Sequence, residues 1–468
     1  MAKQLNPDYQ ASRKEYIAYC LFFLGQNLVW GFAGYIETFL TDIGLAAATA
    51  AAILIVPKLW DAVNDVIFGY IVDRHIFKNG QKFMPWVRIG TSAVGITTIA
   101  LFAIPASMTD TSKIVWFLVA YILFDLAYTI LDAPAFAVST VLTSNIDERT
   151  KFIAGNKLWS MVAGTIATVI IPTVRPLLGW LGACIVFVVV GVVLMIPMLF
   201  SIKERHTRTA TGTENPEFKD MIRYLKANKY LIVALLAMFI LGLSSTEQKM
   251  AIYMGRICLG KESAATLVAA GVAVSVIVIS AIIPPLTKKW DKFNILIFGL
   301  CFAIVMDIVT YFVGYGNVIV ATVLIMLKCT GLGFWQVIIY MLVADTVEYG
   351  TYKSGTRAAG ITFSLQTFIA KLKNALIGSL ILFTLSTVNF VSGENAVQPE
   401  GVADGVWGLF CLFPAAGFAV ALVLLVLFYK LRTPDVQVMS KFNNGEISRE
   451  EAETVLSEKF GSPAEQAS

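Results

Sequence analysis

Charge is what this sequence has least of. Asp, Glu, Lys and Arg make up 15% of its 468 residues, where a soluble domain carries about 25%. That shortfall excludes a water-soluble globule of this length. The 36 Lys and Arg against 32 Asp and Glu leave a net charge of only +4, and no basic run accompanies it, so no nucleic-acid surface is expected. Histidine is nearly absent: His75 and His206 are the two, and both fall in polar connections. No arrangement of side chains resembles hydrolytic or redox chemistry, so neither an enzyme nor a cofactor is expected. The pattern GxxxxGK[ST] does not occur, and nothing points to ATP as a driving force. The six cysteines (Cys20, Cys184, Cys258, Cys301, Cys329, Cys411) show no metal-ligand spacing and read as small apolar residues. The polar N-terminus, with Lys3, Arg13 and Lys14, lacks a small-residue cleavage site, so the first apolar stretch should stay as a span.

What the chain has in quantity is apolar length. Hydrophobic residues make up 57% and mean hydropathy is +0.73. Apolar segments of about 20 residues, the length a bilayer demands, recur at 16–40, 46–72, 86–106, 114–143, 153–174, 180–202, 230–254, 264–287, 293–315, 318–344, 361–389 and 406–429. Lys and Arg crowd alternate connections: Arg74, Lys78, Lys82, Arg88, Arg149, Lys151, Lys288, Lys289, Lys292, Lys353 and Arg357. The opposite loops hold little beyond Lys113, Arg175, Arg256 and Lys261. The positive-inside rule then puts both termini in the cytoplasm, in a bacterial inner membrane.

One long polar connection, 203–229, divides the chain into 1–202 and 230–429, with a cytoplasmic tail over 430–468. Faint echoes relate the halves: Asn145-Ile146-Asp147-Glu148-Arg149 leaves the fourth segment much as the stretch from Asp345 to Arg357 leaves the tenth. Two parallel six-helix halves describe an all-α membrane protein with the major facilitator architecture. The tail is expected to be solvated; Ser448-Arg449-Glu450-Glu451 has capping-box spacing and predicts a short surface helix.

The charges inside the apolar segments are the informative ones, because each costs roughly 2.5–3.5 kcal/mol near a helix centre unless it faces protein, water or an ion. In Pro57-Lys58-Leu59-Trp60-Asp61-Ala62-Val63-Asn64-Asp65, Asp61, Asn64 and Asp65 stand at i, i+3 and i+4 on one helical face. Lys58 lies one turn earlier. Two carboxylates a turn apart in low dielectric repel unless a cation or proton sits between them, which reads as an ion site. A second stripe runs through Asp125, Thr129, Asp132 and Phe136, with Tyr128 beside it. Carboxylates that accept from hydroxyls, next to an aromatic ring for the apolar sugar face, suit a carbohydrate. Gln26, Asn27 and Trp30 lie in the first segment, and Lys157 and Trp159 open the fifth. Thr367, Lys371 and Asn374 share a face of the eleventh. Lys371 lies about 15 Å into the membrane from Gly360 at 1.5 Å per residue, too deep to reach either surface, so it needs an acidic partner. Glu247, Lys249, Asp307 and Lys328 are further intramembrane charges, read as pairs between helices.

These motifs resemble one family. Trp60 to Asp65 followed by Gly69, the run Tyr128-Thr129-Ile130-Leu131-Asp132-Ala133-Pro134, Ala344 to Gly350, Gly355-Thr356-Arg357, and Ser364-Leu365-Gln366-Thr367 with Lys371 all look like the glycoside-pentoside-hexuronide:cation symporters. The resemblance covers both halves. It implies that Asp61, Asn64, Asp65 and Thr129 hold the cation, and that Asp132 binds sugar with Tyr128, Phe136, Lys157 and Thr367 lining the same pocket. Lys371 would couple the two. Against the pattern of the family's melibiose carriers, Gln26 or Asn27 stands where a second aspartate is expected, Phe136 where a tryptophan is, and Lys157 where an arginine is. An anionic sugar such as a hexuronide therefore enters consideration beside neutral glycosides.

The expected activity is uptake of a glycoside, pentoside or hexuronide with a monovalent cation, by a monomer surrounded by lipid. Sodium is favoured over a proton because Asn64 and Thr129 add oxygen ligands that a proton does not need, with lithium a further alternative. Asp73 with Arg74, and Asp345 with Arg357, would clamp the cytoplasmic side by ion pairs while the site faces outward. The rivals are proton-coupled sugar symport and, on the same fold, carriage of a lipid or drug-like substrate.

Overall fold

The structure is a computed structural model that describes residues 11–78, 80–143, 146–205, 224, 226–355 and 359–462; within its helices the side chains of Lys58, Asp65, Asp73 and Arg74, among others, lie outside the described residues. Among the described residues there is no strand. In hydrocarbon this follows from the backbone itself, since a helix satisfies its own N–H and C=O groups where water cannot. Nine of the described helices are long and apolar enough to cross a membrane.

The chain divides into two compact units, Met1–Thr213 with Gly378–Val402, and Glu214–Ile377 with Ala403–Ser468. The first holds α1 (Arg13–Ala33), α2 (Ile36–Asp42), α3 (Ala47–Arg74), α4 (Met84–Phe102), α5 (Asp110–Leu142) and α6 (Ile146–Ser201). A reciprocal capping box opens α1: the Glu15 N–H donates to Ser12 Oγ at 3.3 Å, and the Ser12 N–H donates to Glu15 Oε2 at 2.8 Å. Within this unit α1 runs along α6, α4 packs on α5 and α6, and α3 packs on α5. Glycine permits the closest crossing. A methyl group on Gly25 of α1 would collide with the Gly191 carbonyl of α6, the small-residue contact that lets membrane helices touch through their backbones. The 56 residues of α6 are interrupted at Gly179, where φ is +70° and ψ is 177°. An L side chain there would be strained, so the glycine separates the expected fifth and sixth segments.

The second unit holds α7 (Lys229–Ser244), α8 (Glu247–Ile257), a single 3-10 turn (Glu262–Ala264), α9 (Ala265–Thr287), α10 (Lys292–Val313), α11 (Val318–Ser354), most of α12 (Ala359–Thr387), α13 (Val402–Phe428), and two tail helices, α14 (Thr433–Asn443) and α15 (Arg449–Phe460). Here α9 and α10 both pack on α11, and α8 packs on α9. The expected first and seventh segments are each broken once, between α1 and α2 and between α7 and α8. The second piece of each carries a buried glutamate in its first turn, Glu37 and Glu247. Interrupted helices at matching positions of two halves are a recurring transporter feature.

The tail departs from the expected solvated segment. The Ser448 capping box forms as the spacing predicts, and Ala452, Leu456 and Phe460 of α15 are buried. The Phe460 ring lies 5.9 Å from those of Tyr230 and Tyr349. The Asn443 amide donates to Glu348 Oε2 at 2.8 Å, and the Tyr352 hydroxyl donates to the Gly461 carbonyl at 3.0 Å. An apolar stripe at i, i+4 and i+8 explains the docking, because its burial against α7 and α11 removes it from water.

Candidate functional site

The polar centre of the first unit is built on α5. Asp125, Tyr128, Thr129 and Asp132 occupy successive turns of that helix. Pro134, two residues beyond, lacks the N–H that would bond the Ile130 carbonyl and loosens the backbone at this level. The residues sort into two groups.

In the first group, the Asn64 side-chain amide of α3 donates to Thr129 Oγ1 at 3.0 Å and to Asp125 Oδ2 at 3.3 Å. All three side chains are buried. Asp125 thus stands with Asn64 and Thr129, while the sequence stripe had placed it among the sugar ligands. Asp61 is half-buried one turn before Asn64 on α3. The side chains of Asp65 and Lys58 lie outside the described residues.

In the second group, the Gln26 amide of α1 donates to Asp132 Oδ1 at 2.5 Å and lies 3.3 Å from the Tyr128 hydroxyl. Gln26 itself is buried. Aromatic rings surround this set. Trp30 meets Tyr128 at 4.4 Å between centroids and stacks near Phe124 at 6.3 Å. Phe136 meets Phe23 at 5.1 Å. Trp30 is 44% exposed and Phe136 is 41% exposed. Asn27 faces another way: its amide donates to Ser160 Oγ at 2.9 Å, and Ser160 in turn donates to Asn156 at 3.0 Å. Between the two alternatives in the first segment, Gln26 is therefore the one that reaches Asp132. Lys157 is exposed on α6.

The remaining candidates lie elsewhere. Thr367 and Lys371 are exposed on α12 in the second unit, where the Thr367 hydroxyl donates to the Phe363 carbonyl at 3.0 Å. Asp345 pairs with Lys292 of α10, with Nζ 2.6 Å from Oδ1. Arg357 and the side chains of Asp73 and Arg74 lie outside the described residues. The motif Ala344 to Gly350 is a packing centre as well, since a methyl on Gly350 would sit 2.5 Å from both Asn228 and Tyr224.

One cluster had no counterpart among the sequence candidates. Arg175, between Pro172 and Pro176 of α6, donates to Asp42 Oδ2 at 2.6 Å and pairs with Glu394 Oε1 at 2.9 Å. The Trp180 indole donates to the same Asp42 oxygen at 2.9 Å, and the guanidinium lies 4.7 Å from its ring centroid. The Glu394 N–H donates to the Asp42 carbonyl at 3.1 Å. This knot ties the segment Gly378–Val402 into the first unit, where Gly378 also lies against Glu37.

A bundle of apolar helices with a polar, aromatic-rimmed centre defines a membrane carrier. Residues 23–433 match the family model described as MFS/sugar transport protein, and the chain belongs to that family. Among curated relatives, the uncharacterized symporter YjmB of Bacillus subtilis is 26% identical over 406 residues, covering 85% of this chain and 87% of that protein. The isoprimeverose transporter of Lactiplantibacillus pentosus is 25% identical, covering 85% and 84%. The glucuronide carrier protein homolog of Escherichia coli is also 25% identical, covering 90% and 93%. Among solved structures, the nucleoside transporter NupG aligns with a TM-score of 0.60 at 15% identity, over 90% of this chain and 100% of that one. A bacterial homolog of the lysosomal transporter Spinster aligns at 0.60 with 14% identity, over 93% and 97%. These likenesses show the major facilitator fold, in a sugar-transport family of multi-pass membrane proteins.

Proposed function

We propose that this chain is a cation:glycoside symporter in which Asn64, Thr129 and Asp125, with Asp61 and Asp65, hold a sodium ion, and Asp132, Gln26, Tyr128, Trp30 and Phe136 hold the sugar. The observation that carries the reading is that both polar groups hang from one helix. Thr129 and Asp132 are three residues apart on α5, so their side chains are neighbours on its surface. Rotating the Asn64 amide exchanges its donor for its carbonyl oxygen. Asn64, Thr129 and Asp125 then present three converging oxygens, the ligand type a hard cation prefers. A cation bound there neutralises the carboxylate beside the sugar group. By linkage, sugar and cation must then tighten each other's binding by the same factor.

The substrate class draws support from the relatives, one named for isoprimeverose and another as a glucuronide carrier homolog. A single sugar-facing carboxylate, Asp132, together with an exposed Lys157 on α6 suits a hexuronide as well as a neutral glycoside. Lys371 serves as the coupling cation, and both termini lie on the cytoplasmic side, as the Lys and Arg asymmetry of the loops indicates.

Uptake into proteoliposomes tests the reading directly. A panel of labelled glycosides, pentosides and hexuronides is offered under an inward gradient of sodium, lithium or protons. Sodium-driven accumulation of at least one sugar is expected. Accumulation driven by protons alone would replace the cation assignment, and no accumulation of any sugar would overturn the substrate class.

A further inference from the structure

The second unit contains a buried charge cluster that plays no part in the site above. Lys328 of α11 has its Nζ 2.7 Å from Asp307 Oδ1 of α10 and 3.9 Å from Glu247 Oε1 at the start of α8. The same ammonium donates to the Phe410 carbonyl of α13 at 2.7 Å and lies 4.1 Å from the centroid of the Phe410 ring. Glu247, Asp307 and Lys328 are each no more than 2% exposed. The ammonium is therefore ion-paired with Asp307 and hydrogen-bonded to a backbone carbonyl. Glu247 stands beyond hydrogen-bond distance, and its Oε1 is buried with no hydrogen-bond partner.

The charge count does not close. Two buried carboxylates face one buried ammonium, and an uncompensated buried charge is strongly disfavoured. The N-terminus of α8, where Glu247 occupies the first turn, offsets only about half a charge. Among the described residues, the neighbouring elements supply no further cation to Glu247. The helix α9 has no ionisable side chain in Ala265–Thr287. The thiols of Cys329 and Cys411, which also feel this cluster, are no source of positive charge. Lys249 is two residues along α8, a spacing that does not face Glu247. Lys373 of α12 lies against Gly242 and 5.9 Å from the centroid of the Trp335 ring.

We propose that Glu247 is a proton-binding site of the second unit, holding a proton at neutral pH beside the ionised Asp307–Lys328 pair. The assignment between the two acids follows from geometry: Asp307 has the 2.7 Å contact to the ammonium and stays ionised, while Glu247 stands at 3.9 Å. The proton is thus a ligand of this chain in addition to the cation proposed for the first unit, and the two sites share no residue.

Infrared difference spectroscopy of the purified full-length protein tests this without reference to any sugar. A protonated carboxylic acid gives a carbonyl band, shifted in heavy water, that a carboxylate lacks. Wild type minus Glu247→Gln is expected to show that band at neutral pH. Asp307→Asn should also abolish it, because Glu247 then ionises as the sole partner of Lys328. Lys328→Met should strengthen it, since both acids must then be neutral. Circular dichroism confirms that each variant is folded, and the opposite signs of the last two keep the test decisive should Glu247→Gln fail to fold. A wild-type spectrum in which no band responds to these substitutions overturns the proposal.

Discussion

The Gln26 amide donates a 2.5 Å hydrogen bond to Asp132 Oδ1 while lying 3.3 Å from the Tyr128 hydroxyl. One buried side chain of α1 thereby fixes the carboxylate and the phenol that stand a turn apart on α5. A carboxylate held in this way is preorganised for sugar hydroxyls, which donate to carboxylate oxygens.

Asp132→Asn removes the charge from those hydrogen bonds. Bonds to charged groups contribute about 1.5–3 kcal/mol, so sugar affinity should fall roughly 10- to 100-fold. Half-saturation of uptake measures it, and unchanged affinity would contradict the role given to Asp132.

Thr129→Val keeps the shape of the side chain and deletes the oxygen 3.0 Å from Asn64. The sodium concentration for half-maximal stimulation should rise about tenfold, the equivalent of about 1.4 kcal/mol. Asp125→Asn should act in the same direction. A sodium response indistinguishable from wild type in both variants would remove them from the cation group.

Trp30→Ala deletes the ring that lies against Tyr128. Aromatic contacts contribute about 0.5–1.5 kcal/mol beyond burial, so sugar affinity should weaken a few-fold to about tenfold. Sodium dependence should stay as it was, which separates a platform for the sugar from a part of the cation group.

Arg175→Gln leaves Asp42 buried without its cation, and breaking such a pair costs about 3–5 kcal/mol. The thermal transition of the purified protein should drop sharply. A Glu394→Gln change, at a side chain that is half exposed, should cost far less. Equal losses from the two would mean that Glu394, and not the buried Asp42 pair alone, carries the stability of the knot.

The legible part of this molecule was its local pattern. Hydropathy showed an all-helical membrane chain, the α5 stripe named its polar residues, and the Ser448 spacing predicted the α15 cap. What stayed hidden was which neighbouring helix meets each turn. Asp125 and Asp132 fall on one face of α5, yet α3 reaches the first and α1 the second, a fact of tertiary packing that no helical period contains. The breaks before Ile36 and Glu247 carry no proline, so no strong local signal marks them. Arg175 and Asp42 are 133 residues apart, and only the folded chain joins them. The docking of the tail was different: the stripe Ala452, Leu456, Phe460 is present in the sequence, yet a short apolar stripe inside a polar tail pointed to a solvated surface helix.

The central claim is that cation and sugar occupy adjoining turns of one helix and travel together. Influx of radiosodium into proteoliposomes, with and without the transported glycoside outside, measures this most directly. Glycoside should accelerate sodium entry in the wild type, and the acceleration should vanish in both Thr129→Val and Asp132→Asn. Sodium entry indifferent to sugar, in a protein that still accumulates that sugar, would contradict the account.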